Sequence, residues 1–131
     1  MTPIPPGPPQ PTRSELELLR VLWRRGPATV RELHHERGPG RGVGYTTVLK
    51  LLQIMAAKGL VERDESRRSH VYAARVSEGD TQRRLLGDLM ERAFEGSASK
   101  LVMQALSAQR ATPEELSAIR RLLDELEGEA S

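Results

Sequence analysis

Residues 44–72 read GYTTVLKLLQIMAAKGLVERDESRRSHVY, and the order of patterns within them decides the fold. Val48, Leu51, Leu52, Met55 and Ala56 recur with the 3.6-residue period of one helix face, and Gly59 stands where such a helix stops. Two short strand patterns follow, Leu60 to Asp64 and Val71 to Ala74 with its flanks. The polar turn Glu65, Ser66, Arg67, Arg68, Ser69 separates them. Helix and then basic hairpin is the order of a winged helix, in which the helix enters the major groove of a duplex and the wing reaches flanking backbone or minor groove.

Upstream, two more helices complete the unit. Thr12 and Glu15 fit a capping box, after which Leu16, Leu19, Leu22 and Trp23 share a face until Gly26 and Pro27. Thr29 and Glu32 repeat the signature before Val30 and Leu33, and this second helix is expected to stop at Gly38, Pro39 and Gly40. Residues 1–11 hold six of the nine prolines and no apolar period, so they read as a disordered, Pro-rich leader.

The candidate duplex-reading residues cluster on the third helix and the wing. Tyr45, Thr46 and Thr47 occupy the first helical turn, where free N–H groups attract phosphate and short hydroxyl side chains approach base edges. Lys50 follows one turn later and can reach a phosphate or a guanine edge. Arg67 and Arg68 give the wing its charge, and His70 adds a donor. Taken singly, Thr46 and Thr47 also suit N-capping, and Tyr45 suits packing on Trp23 or the wing. As a group they favour nucleic acid. The charge distribution agrees: 13 Lys and Arg stand against 7 Asp and Glu up to residue 75, and 7 against 11 beyond it. A basic half is what a polyanion binder needs.

Downstream the pattern is helical throughout. Leu85, Leu86, Leu89, Met90, Ala93 and Phe94 form a stripe that ends at Gly96, and Ser97 restarts the pattern for Leu101, Val102, Ala105 and Leu106. Thr112, Pro113 and Glu115 make a strong helix start, followed by Leu116, Ile119, Leu122, Leu123 and Leu126. Three short amphipathic helices bury little alone, so a homodimer is expected, with each copy reading one half-site. The fold class is therefore mainly α with a small β wing. It divides into a leader (1–11), a winged helix-turn-helix domain (12–75) and a helical dimerisation domain (76–131).

Composition excludes other chemistry. With one Phe, one Trp and two Tyr, aliphatic side chains must fill the core. Without Cys there are no disulfides and no thiolate metal sites. No apolar run nears the roughly 20 residues of a membrane span and no signal peptide opens the chain, so a soluble, cytoplasmic protein is expected. Gly38, Gly40, Gly42 and Gly44 lack the preceding strand and the Gly-Lys-Ser/Thr ending of a phosphate loop, and read as a turn. His34 and His35 are adjacent on a short helix and point to different faces, which excludes an i,i+4 metal pair. No nucleophile triad or carboxylate pair is present, so neither an enzyme nor a cofactor is expected.

The segments LELLRVLWRRGPATVREL (16–33), GYTTVLKLLQIMAAKGLVER (44–63), SHVYAA (69–74) and FEGSASKLVMQAL (94–106) resemble the penicillinase-repressor family, the BlaI/MecI/CopY type of bacterial transcriptional repressors. The resemblance runs in order from about residue 12 to 127. It implies a homodimer on a palindromic operator, with Thr46, Thr47 and Lys50 on bases or phosphates, Arg67 and Arg68 on the wing, and intertwined C-terminal helices. Copper-responsive members carry a Cys-rich C-terminal motif, which is absent here. Members linked to β-lactam resistance are cut at an Asn-Phe bond, and a membrane sensor-protease is the partner such induction implies. The matching positions here read Gln104 and Ala105, which departs from the cleavage sequence. Two other readings stay open: a MarR-like ligand-responsive regulator, and a winged-helix module that binds protein.

Overall fold

In the computed structural model, which describes residues 8–37 and 44–130, six helices and three short strands follow one another. They are α1 (Arg13–Arg25), β1 (Ala28–Thr29), α2 (Val30–Arg37), α3 (Tyr45–Lys58), β2 (Val61–Asp64), β3 (Val71–Ala74), α4 (Glu78–Ala93), α5 (Ala98–Ala108) and α6 (Pro113–Ala130). The expected helix end at Gly38, Pro39 and Gly40, and the turn reading of Gly40 and Gly42, lie outside the described residues.

Reciprocal capping starts α1: the Thr12 hydroxyl accepts the Glu15 N–H at 3.3 Å and the Glu15 carboxylate accepts the Thr12 N–H at 2.8 Å. Thr29 and Glu32 repeat this on α2 at 2.9 and 3.2 Å. At the end of α3, Gly59 takes a left-handed conformation (φ 84°), and the Leu60 N–H reaches back to the Met55 carbonyl at 2.9 Å. That geometry satisfies the last carbonyls and turns the chain into β2.

The core joins α1, α2, α3 and the sheet through Leu18, Leu19, Leu22, Leu33, Val48, Leu52, Met55, Val61 and Tyr72. The buried row of α1 differs from the sequence expectation. Leu18 and Val21 are buried with Leu19 and Leu22, whereas Leu16 and Trp23 are half-exposed on its flank. Trp23 stays at the edge because its indole N–H donates to the Val76 carbonyl at 2.9 Å, a partner an interior position would deny it.

The sheet has three strands rather than two, in the order β1-β3-β2, all antiparallel. β1 is only two residues long and carries no alternation, so periodicity misses it. It pairs Ala28 with Tyr72 and Thr29 with Val71. Thr29 thus ends a strand and caps a helix at once. β2 begins at Val61, and the Leu60 carbonyl instead accepts the Arg75 N–H at 2.9 Å.

Two compact units are separable, one through Leu86 and one from Gly87. In the first, the described part of the leader lies against the start of α4, where the Gln10 side-chain amide donates to the Arg84 carbonyl at 3.4 Å. In the second, Ser97 caps α5 by accepting the Lys100 N–H at 3.2 Å, and Thr112 and Glu115 close a capping box on α6 at 3.1 Å each way. Neither α5 nor α6 contains a buried residue.

Candidate nucleic-acid interface

Helix α3 buries Val48, Leu52 and Met55 and so turns its opposite side outward. Thr46, Thr47, Lys50, Gln53, Ile54 and Ala57 are all exposed there, spaced at three and four residues as one helical face requires. The N-cap is Gly44, which has no side-chain hydrogen bond to offer. Capping by a side chain therefore does not occupy Thr46 or Thr47; the Thr47 N–H bonds the Gly44 carbonyl at 3.1 Å, which leaves the N–H groups of Tyr45 and Thr46 without a helical partner.

Tyr45 does not pack on Trp23. It is 48% exposed and its ring meets that of His34 edge-on, with centroids 6.3 Å apart. It also lines an open groove of about 400 Å³ together with Arg31, Leu49, Arg68, His70 and Tyr72. The groove brings the first turns of α2 and α3 next to the wing. Arg31 was not foreseen, because on the sequence it is one of several arginines on helical surfaces. What distinguishes it is its place one residue into α2, directly after β1, and that strand is invisible to periodicity.

The wing is shaped by its own acid. The Asp64 carboxylate accepts the Ser66 N–H at 2.9 Å, a local turn that sends the chain away from β2. The Ser66 hydroxyl and then its N–H, with a weaker contribution from Arg67, hold the Asp64 carboxyl below its ordinary range. Arg63 pairs with Glu65 and is neutralised. Arg67, Arg68, His70 and Lys50 are exposed and make no ion pair among the described residues. Lys50, Arg67 and Arg68 are thus cations available to a polyanion on the outer side of α3 and on the wing. The Tyr72 hydroxyl is buried with no hydrogen-bond partner at normal distance among the described residues, although Arg63 stands opposite it on β2.

The residues expected at a dimer surface fall into two classes. Leu86, Leu89, Val102, Leu106, Leu122, Leu123 and Leu126 are 39–54% exposed. Leu85, Met90, Phe94, Leu101, Leu116 and Ile119 are half-buried. Gln104 and Ala105 lie inside α5, both exposed, and the Ala105 carbonyl accepts the Gln109 N–H at 3.1 Å. Among the described residues no group of three or more His, Cys, Asp or Glu is placed to hold a metal, and no helix is long and apolar enough to cross a membrane.

Comparison with known proteins yields consistent relatives. A family model described as penicillinase repressor matches residues 11–125. The transcriptional regulator BlaI of Mycobacterium tuberculosis is 36% identical over 114 residues, covering 86% of this chain and 82% of the relative. The penicillinase repressor of Bacillus licheniformis is 22% identical over 117 residues, covering 89% and 91%. Among solved structures, the complex structure of hsRosR-S4 superposes with a TM-score of 0.50 at 17% identity, over 92% of this chain and 93% of that one. That last likeness speaks to the fold alone.

Proposed function

The chain belongs to the penicillinase-repressor family, and from that premise we propose that it is a transcriptional repressor that binds a dyad-symmetric operator as a homodimer. One observation carries the duplex contact. The outward face of α3 bears Thr46, Thr47 and Lys50, free of capping duties, and the unpaired Arg67, Arg68 and His70 stand on the adjoining wing.

In this reading α3 lies in the major groove, with Thr46 and Thr47 at base edges and Lys50 on a guanine edge or a phosphate. The wing arginines take the flanking backbone. Tyr45 and Arg31 hold the phosphates on the other side of the groove they line. The winged helix-turn-helix of residues 12–75 is the reading part, and residues 76–131 are the pairing part. The dimer is supported by helices α5 and α6, which contain no fully buried residue in one copy. An isolated helix of 11 residues, the length of α5, is marginal in water. The role is regulatory and not catalytic, in keeping with the relatives' names. A cut between Gln104 and Ala105 would require α5 to open first, since that bond lies within its hydrogen-bonded ladder.

The test is binding of the full chain to duplexes enriched from a random pool, followed over a salt series. A dyad-symmetric product and a log-affinity falling steeply with log-salt are expected. A flat salt plot, or no preference over random duplex, would sink the proposal.

A further inference from the structure

In the first compact unit the exposed large apolar side chains among the described residues are Tyr45, Ile54 and Leu86. Two of these stand on α3. Tyr45 has the groove and His34 to meet. Ile54, 44% exposed, has no such neighbour and sits in the middle of an otherwise polar face. Beside it Gln53 is exposed, with no hydrogen-bond partner among the described residues. One turn beyond Gln53 the face carries only Ala57, whose small side chain lets a second surface approach the helix closely.

These neighbours match the major-groove edge of an A·T pair. A glutamine amide donates to adenine N7 and accepts from adenine N6–H, and the paired thymine offers its 5-methyl group to an apolar side chain. Guanine would face the same amide with two acceptors, and cytosine has no methyl. Seven residues separate Thr46 from Gln53, which is about 10 Å along the helix. At 3.4 Å per step that is about three base pairs.

We infer that each half-site contains an A·T pair about three base pairs from the pair facing Thr46, with Gln53 on adenine and Ile54 against the thymine methyl. This inference rests on the duplex-binding reading of α3. It adds a reading pair to Thr46, Thr47 and Lys50 and predicts the composition of the site. Both side chains are exposed, so their truncation leaves the core intact.

The experiment enriches duplexes from a randomised pool with the full wild-type chain, Gln53→Ala and Ile54→Ala, and then replaces thymine by uracil at the A·T position. Wild type is expected to enrich an A·T pair there, and Gln53→Ala to lose that preference alone, by about fivefold or more. Uracil, which lacks the methyl, should weaken wild type by about three- to fivefold and leave Ile54→Ala unchanged. The inference is overturned if Gln53→Ala enriches the same base at every position, or if uracil weakens Ile54→Ala as much as wild type. Failure of wild type to enrich any dyad motif would overturn the duplex reading and this inference with it. A wild-type motif with both variants unaltered overturns this inference alone.

Discussion

Both oxygens of the Glu15 carboxylate, buried at the start of α1, accept from the Lys58 ammonium at the end of α3, at 2.8 and 3.0 Å. It also accepts the Thr12 N–H and so closes the α1 capping box. One side chain therefore caps the first helix and ties its start to the last residue of the reading helix. Lys58 keeps its ammonium partly in solvent, at 26% exposed against 2% for Glu15. Glu15→Gln should destabilise the first unit by about 1–3 kcal/mol, the cost of weakening charge-assisted bonds at a buried site. Denaturant unfolding of both proteins at pH 7 measures it.

The same carboxylate sets a pH dependence. Burial pushes Glu15 up, but the Lys58 ammonium and the Thr12 N–H outweigh it and hold the carboxyl below its ordinary 4.5. A depressed folded pKa means the folded state binds fewer protons. The stabilisation is thus present above about pH 4.5 and is lost as pH falls through the folded value. Wild type should lose stability more steeply than Glu15→Gln below pH 4.5, with parallel profiles at higher pH. Parallel profiles throughout would show that Glu15 does not titrate differently on folding.

Much of this architecture was legible because helix starts are written locally. The pairs Thr12/Glu15, Thr29/Glu32 and Thr112/Glu115 each encode a start in four residues, and each closes as a capping box. Long-range facts left no such mark. Glu15 reads as an ordinary capping acid until Lys58, 43 residues on, is brought to it by the packing of α1 on α3. β1 is too short to alternate, so neither the third strand nor the placing of Arg31 beside the wing could be read. Thr46, Thr47 and Lys50 stand out in the sequence because residues in and just after the first turn of such a helix have a general use in duplex contact. Gln53 and Ile54 share its period, but Ile54 reads as core until the burial of Val48, Leu52 and Met55 shows which way the helix is turned.

Reading and gripping should separate by mutation. Thr47→Ala removes a hydroxyl at base-edge height and is expected to lower the preference for operator over random duplex by about 1 kcal/mol or more, with the salt slope unchanged. Arg68→Ala removes an unpaired wing cation and is expected to weaken all duplexes alike and reduce the slope by about one. Fluorescence anisotropy over a salt series, on operator and random duplex, distinguishes them. Equal loss of discrimination from both variants would contradict this division.

Gly59 offers a test of the turn that joins the reading helix to the wing. A methyl group there would meet nothing within 4 Å, yet φ is +84°. The penalty of Gly59→Ala is therefore purely conformational, about 1 kcal/mol of stability. Gly44→Ala is the matched control: it too meets nothing, and φ is −78°. There the poorer N-cap and the lower entropy of the unfolded alanine chain oppose each other, so stability should change by only about a few tenths of a kcal/mol. Thermal unfolding that ranks the two equally would show that the turn carries no strain on substitution.

The last prediction concerns the unburied helices. Along α6, Leu122, Leu123 and Leu126 are each more than half exposed in a single copy, and on α4 Leu89 is 49% exposed. If a second chain covers them, a carboxylate placed among them is buried without a partner, which costs several kcal/mol per site. Because each site occurs twice in a symmetric dimer, the penalty doubles. Leu122→Asp and Leu89→Asp should each give monomers in sedimentation velocity at concentrations where wild type is dimeric. Operator affinity should then fall by about a hundredfold or more, since the second half-site is no longer tethered to the first. Random-duplex binding should fall much less, because each monomer keeps its wing and its reading helix. An intact dimer in both variants would place the interface elsewhere. Monomers that keep full operator affinity would separate pairing from recognition.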